Sequence, residues 1–349
     1  MRNILAIAAL TAAAAMTAAT PARQESRYLW PADYMADPAA HVFNGKTYIV
    51  TSHDWASPVT DGTDGAHYDM RDYHVFSLEG DPMTAEVTDH GAVLSIEDVP
   101  WVSKQMWATD MTEKDGKYYL YFSAKDLNGL FRIGVAVADT PEGPFKAMPD
   151  PIRGTYSIDP AVYRDGDDYY LYFGGLAGGQ NHRYDSSNTL LECATRPAKG
   201  DTAVPPRVAR LSADMTQLAE APRPVIITDS LGNQLLESDP HRFYEAPWVY
   251  RYGDKYYLTY STGGTHLLCY AVGDSPYGPF VYGGEIMTPV TGWTTHQAVT
   301  EIDGKWYLFY HDSAPSGGVS SLRSMKVTPL THRPDGSIVT IDGGKQPKK

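Results

Sequence analysis

Cysteine is almost missing from this chain. Cys193 and Cys269 are the only two in 349 residues, so at most one disulfide can form, and the alternative is a pair of buried free thiols. Neither lies near the N-terminus, which argues against a lipid anchor there. Positive charge is scarce too: 29 Lys and Arg stand against 42 Asp and Glu, a net charge of −13. That balance speaks against nucleic acid or an anionic membrane as a partner and fits a soluble protein meeting neutral or weakly charged molecules. Sustained helical periodicity is absent. The one apolar run, Ile4 to Leu10 after Arg2 and then an Ala-rich stretch to about Ala22, is too short and too weakly apolar to span a membrane. Its charge, apolar core and small-residue exit match a secretory signal, so residues 1–22 are expected to be removed on export to the periplasm or the medium. Residues 23–349 then form one domain.

What the chain has in abundance is 25 Tyr, 25 Pro and 31 Gly, a composition for strands and turns. One phrase recurs five times: a turn glycine, a Lys or Asp, then an alternating Tyr-rich run. It stands at Gly45, Gly116, Gly166, Gly253 and Gly304. Each is a β-hairpin signal, because Asn-Gly or Asp-Gly supplies the positive φ of a tight hairpin turn and the flanks alternate with period two. A second phrase, Asp139-Thr140-Pro141-Glu142-Gly143-Pro144-Phe145 and Asp274-Ser275-Pro276-Tyr277-Gly278-Pro279-Phe280, repeats behind two of the hairpins. The glycines are 71, 50, 87 and 51 residues apart. Two units therefore have the length of a four-stranded propeller blade and two carry insertions, which predicts an all-β, five-bladed β-propeller.

Three carboxylates stand ahead of these hairpins at nearly one distance: Asp37 eight residues before Gly45, Asp159 seven before Gly166, and Glu245 eight before Gly253. Innermost strands of propeller blades start at one end of the central channel, so the three acids are predicted to meet in a ring. His296 holds the matching place in the fifth unit. The second unit has Ala108 there, with Asp110 two residues further in, which reads as structural.

With Ala36-Asp37-Pro38, Trp107-Ala108-Thr109-Asp110, Ser157-Ile158-Asp159-Pro160-Ala161 and Tyr244-Glu245-Ala246-Pro247 in view, the mature chain resembles glycoside hydrolase family 43 over essentially its whole length. The resemblance implies an inverting hydrolase of arabinose- or xylose-containing plant polysaccharides and oligosaccharides. It casts Asp37 as general base, Asp159 as the residue that tunes and orients, and Glu245 as general acid. An inverting enzyme needs its base and acid about 6.5 to 9.5 Å apart so that water fits between them. His296 reads as a metal ligand, a residue that orients a carboxylate or a filler of the channel, and Arg323 as a substrate contact or a surface ion pair; the resemblance implies a hydrated Ca²⁺ in the channel touching His296 and a substrate-gripping role for Arg323.

Trp107, Trp248 and Trp293 are candidates to stack on a sugar face or to fill gaps between blades, with core packing expected for at least one of them; Trp107 and Trp248 are read as the sugar contacts. His53 belongs to the first insertion, residues 52–74, rich in His, Asp and Tyr; together with the second, about 177–237, it is expected to wall the channel mouth into a pocket for a chain end. The Ala-Asp-Pro, Ile-Asp-Pro and Glu-Ala-Pro set resembles the β-xylosidase and α-L-arabinofuranosidase branches of the family, which with that pocket implies an exo-acting β-xylosidase with α-L-arabinofuranosidase side activity. The competing readings are an arabinan-degrading hydrolase, a non-catalytic sugar-binding propeller and a retaining fructan-type enzyme.

Overall fold

The computed structural model describes residues 25–59, 65–185, 187–293 and 295–345; the expected export signal lies outside them. Five sheets, antiparallel except for the edge strand Ile227–Thr228 that pairs parallel with Phe280–Met287 in the fourth, are built in sequence around a channel. The first blade runs Met35–Phe43, Lys46–Trp55, Asp69–Leu78, Thr88–Ser95 from inside to outside, and the second is built on Thr109–Lys114, Lys117–Asp126 and Phe131–Ala138. The third starts at Ala161–Asp165, the fourth at Glu245–Tyr252 and the fifth at Ala298–Ile302. The predicted propeller is what the chain forms. A feature the repeat did not announce closes the ring: Arg27–Tyr28 pairs with Ser324–Pro329 as the outermost strand of the last blade, Arg27 opposite Val327. The beginning of the domain thus completes its end.

The five hairpins fall into two kinds. At Asn44-Gly45, Asp115-Gly116 and Asp303-Gly304 both loop residues have positive φ, as a type I′ turn requires. In the third and fourth blades the loops are Gly166-Asp167 and Gly253-Asp254, with positive φ at the glycine alone, the requirement of type II′. The glycine is therefore the second loop residue in three blades and the first in two. Counted from the strand after the loop, the equivalent inner positions are Asp37, Ala108, Asp159, Ala246 and His296, each nine residues before Lys46, Lys117, Asp168, Lys255 and Lys305. Glu245 is one residue upstream of its ring position, a shift that counting from glycines conceals.

Tyrosine does two jobs in the core. Tyr73, Tyr121, Tyr172 and Tyr260 are fully buried between sheets, and their hydroxyls donate to the carbonyls of Trp107, Met215, Pro276 and His241 in neighbouring loops. The ring supplies apolar contact and the hydroxyl ties one blade to the next. Both cysteines are free, Cys193 exposed and Cys269 buried. The C-terminal segment stays bonded up to Lys345. Ile341 pairs with Met287 and the Lys345 amide donates to the Pro289 carbonyl at 3.1 Å.

Candidate active site

At three of the ring positions the chain reads X-Pro: Asp37-Pro38, Asp159-Pro160 and Ala246-Pro247. The X residue has φ of 51°, 59° and 59° respectively, a left-handed backbone that non-glycine residues adopt rarely and that collects at functional sites. The ladders of the first and fourth blades slip there, between Ala36 and Ala39 and between Glu245 and Trp248. Such bulges re-aim side chains at the end of a sheet. The left-handed residue, shared by all three, aims Asp37 and Asp159 at the channel mouth, while Glu245, one residue before its own, stays partly open to solvent.

Asp37 is 4% exposed. Its Oδ1 accepts from Arg323 Nη1 at 2.8 Å and its Oδ2 from Ser52 Oγ at 2.5 Å. Its amide donates to His311 Nδ1 at 3.0 Å, and His296 Nδ1 lies 3.7 Å from Oδ1. Burial alone would raise its pKa, but Arg323, the two imidazoles and Ser52 together hold it at about 2. Arg323 is itself buried. Its Nε and Nη2 fork onto Asp54 at 2.9 and 2.7 Å, and its guanidinium lies 5.1 Å from the Tyr68 ring centre.

Asp159 behaves oppositely. Burial first, then the charge of Glu245 and next that of Asp37, push its carboxyl well above the usual range, although Oδ2 accepts the Ala246 amide at 2.8 Å. The two charges oppose each other across the pair, so the Asp159–Glu245 pair holds a proton that Asp37 does not.

These groups floor a pocket of about 870 Å³. The first insertion contributes Gly65, His67 and Tyr68 to its wall, and the second contributes Leu176 to Gly179 and Arg196. Trp107 and Trp293 both line it. Trp107 also braces the first insertion: its Nε1 donates to the Tyr68 carbonyl at 3.1 Å. Gly65 passes so close that a Cβ there would stand 2.5 Å from the indole. His296 and Arg323 line the pocket as well.

Two expected sugar contacts are corrected. Trp248 is 5% exposed in the inter-blade core, its Nε1 bonded to the Val299 carbonyl at 3.2 Å and its ring centre 5.2 Å from that of His41; three residues past Glu245, the strand has already descended between the blades. His53 does not line the pocket. Alternation along its strand sends Ser52 and Asp54 to Asp37 and Arg323, and His53 to the other face, against Asp72. Asp110 is structural, as expected: it accepts the Met111 and Val162 amides at 2.7 and 2.6 Å and lies 2.6 Å from His41 Nε2. Sequence reasoning missed Ser52, His311, Tyr244 and His266, since none shares the repeat position. A strand residue paired opposite the X-Pro bulge was the available signal for Ser52, which faces Ala36.

A propeller whose channel mouth holds one ionised and one proton-sharing carboxylate site under a walled pocket defines a glycoside hydrolase. The profile of glycosyl hydrolases family 43 matches residues 32–338, and the chain belongs to that family. It is 57% identical over 323 residues to a xylosidase/arabinosidase of Bacteroides ovatus, covering 92% of this chain and 99% of that protein. A β-xylosidase of Xylanibacter ruminicola is 54% identical, with 91% and 99% covered. The crystal structure of a β-xylosidase/α-arabinofuranosidase from a compost microbial metagenome, in complex with xylotriose in a calcium-free form, superposes with a TM-score of 0.89 at 50% identity, covering 93% of this chain and 99% of that one.

Proposed function

We propose that the protein is an inverting, exo-acting β-xylosidase that releases xylose from the non-reducing ends of xylo-oligosaccharides, with side activity on α-L-arabinofuranosides. The observation that carries this reading is the split between a carboxylate held ionised and a pair that retains a proton, at one pocket floor. Asp37 takes a proton from water as the water attacks the anomeric carbon. Glu245, the member of the proton-sharing pair that faces the pocket, protonates the departing oxygen. Asp159, buried behind it, keeps the proton on the pair and fixes the strand start through the Ala246 amide. The walls from both insertions favour a chain end over a through-going chain, and similar relatives share the substrate class. Xylose and arabinofuranose hydroxyls can be superposed in one pocket, so dual activity costs little discrimination. Following xylotriose and aryl glycosides by NMR tests the proposal: α-xylose appears first and xylobiose accompanies it. Retained anomeric configuration, or mid-chain fragments from arabinan, would sink it.

The residues around His296 suit a hydrated Ca²⁺. Burial lowers the His296 pKa, which favours a neutral imidazole with a lone pair, and Asp37 and Asp110 supply negative potential beside it. Bound there, the ion would add positive field to the channel, most of its shell being water. Chelator treatment is expected to lower Tm and activity and added Ca²⁺ to restore both; an unchanged Tm, matched by a normal His296→Ala variant, leaves His296 as a packing residue. We further read residues 1–22 as an export signal that sends the enzyme to the periplasm or the medium.

A further inference from the structure

Outside the pocket, on the first blade, His53, Asp72 and His74 bring three ligand atoms within 4.8 Å of one another. Asp72 Oδ1 stands 2.8 Å from His53 Nδ1 and 3.7 Å from His74 Nε2. Tetrahedral ligands about 2.0 Å from a zinc ion lie about 3.3 Å apart, and the two observed separations bracket that figure. The far ring nitrogens are held as well: His53 Nε2 is 3.3 Å from Asp33 Oδ2 and His74 Nδ1 is 3.1 Å from Asp89 Oδ1. A carboxylate beside each outer nitrogen is able to take the proton there and free the inner lone pair for a metal, the arrangement that orients metal-bound histidines. Without an ion a proton bridges His53 Nδ1 and Asp72 Oδ1; a metal ion entering the cluster takes its place.

We propose that His53, Asp72 and His74 form a binding site for a divalent transition-metal ion of the zinc class, with water completing the shell. Two imidazoles and one carboxylate are a donor set for zinc, cobalt or nickel and a poor one for calcium, which prefers six to eight oxygens. The three side chains are 13 to 15% exposed, so an ion can reach them from solvent. The site is separate from the channel around His296. It ties together the ends of two strands, Lys46–Trp55 and Asp69–Leu78, from which the first insertion leaves and returns, and that insertion places Tyr68 over Arg323. A bound ion therefore stiffens a pocket wall without touching substrate.

The test is calorimetric titration of the chelator-stripped full chain with zinc chloride. One ion per chain is expected, with the same affinity in a His296→Gln variant. His53→Gln combined with His74→Gln is expected to abolish binding while circular dichroism stays native. Asp89→Asn, which touches no ion, is expected to weaken zinc about 10- to 100-fold through the freed His74 ring, and carries the test if the double variant does not fold. Wild-type affinity in either set of variants, loss of the same binding in His296→Gln, or no stoichiometric zinc in the wild type overturns the proposal and leaves the cluster as an ion-paired histidine array.

Discussion

Glu245→Gln lowers kcat on xylobiose by about 10² to 10⁴, the usual worth of a general acid, and loses much less on an aryl xyloside whose leaving group departs unprotonated. Asp37→Asn falls as far on both substrates, because water activation is needed whatever leaves. That asymmetry between leaving groups separates the two roles, and equal rescue of both variants by the activated substrate would refute the assignment. The pH profiles add a second reading. An acid works while it holds its proton, so the alkaline limb reports the Asp159–Glu245 pair. The charge of one member helps keep the proton on the other, and Asp159→Asn removes a negative neighbour. Its alkaline limb therefore moves to lower pH, while an unmoved limb would leave Asp159 with the Ala246 hydrogen bond as its sole contribution.

Much of this site was legible in the sequence because a repeat fold converts spacing into geometry. Asp37 and Asp159 occupy equivalent left-handed positions before proline and were located by counting. Glu245 was located by the same count for a less sound reason: in its blade the turn glycine comes one place earlier, and Glu245 itself stands one place ahead of the ring position that Ala246 holds. The two displacements cancel. What spacing cannot show is which face of a strand a residue takes once a bulge has shifted the alternation. His53 and Trp248 carry side chains suited to sugar contact, yet alternation between Ser52 and Asp54 sends the first to the outer face and the slip between Glu245 and Trp248 sends the second to the core. Pairings across the whole chain were equally hidden. Asp54 and Arg323 are 269 residues apart, and no local pattern announces a buried fork between them. The strand Arg27–Tyr28 is two residues long, too short to show periodicity, and its place was set by the need to complete the fifth sheet.

Arg323→Met is expected to destabilise the protein by about 3 to 5 kcal/mol, the cost of removing one partner from a buried ionic cluster, and to impair catalysis by a separable route. In the wild type the guanidinium binds Asp37 through Nη1 and Asp54 through Nε and Nη2; without it two buried carboxylates remain with no cation between them. Arg323 is the foremost influence opposing burial at Asp37, so in the variant burial prevails and the Asp37 pKa rises. The sign follows. A carboxylate whose folded pKa is depressed contributes stability that is present above its unfolded value and lost as pH falls through about 2; in the variant that contribution is gone at neutral pH, and the acid limb of kcat/KM moves upward because the base ionises later. Arg323→Lys keeps a charge but loses the fork, so its loss of stability is smaller and its acid limb moves less. Adding Asp54→Asn to Arg323→Met removes one stranded charge; part of the stability returns while the acid limb stays displaced, since Asp37 still lacks its cation. Calorimetry and pH–rate profiles on the four proteins decide the matter. An Arg323→Met variant with wild-type Tm and an unmoved acid limb would show that Ser52 and the two histidines hold Asp37 ionised without help.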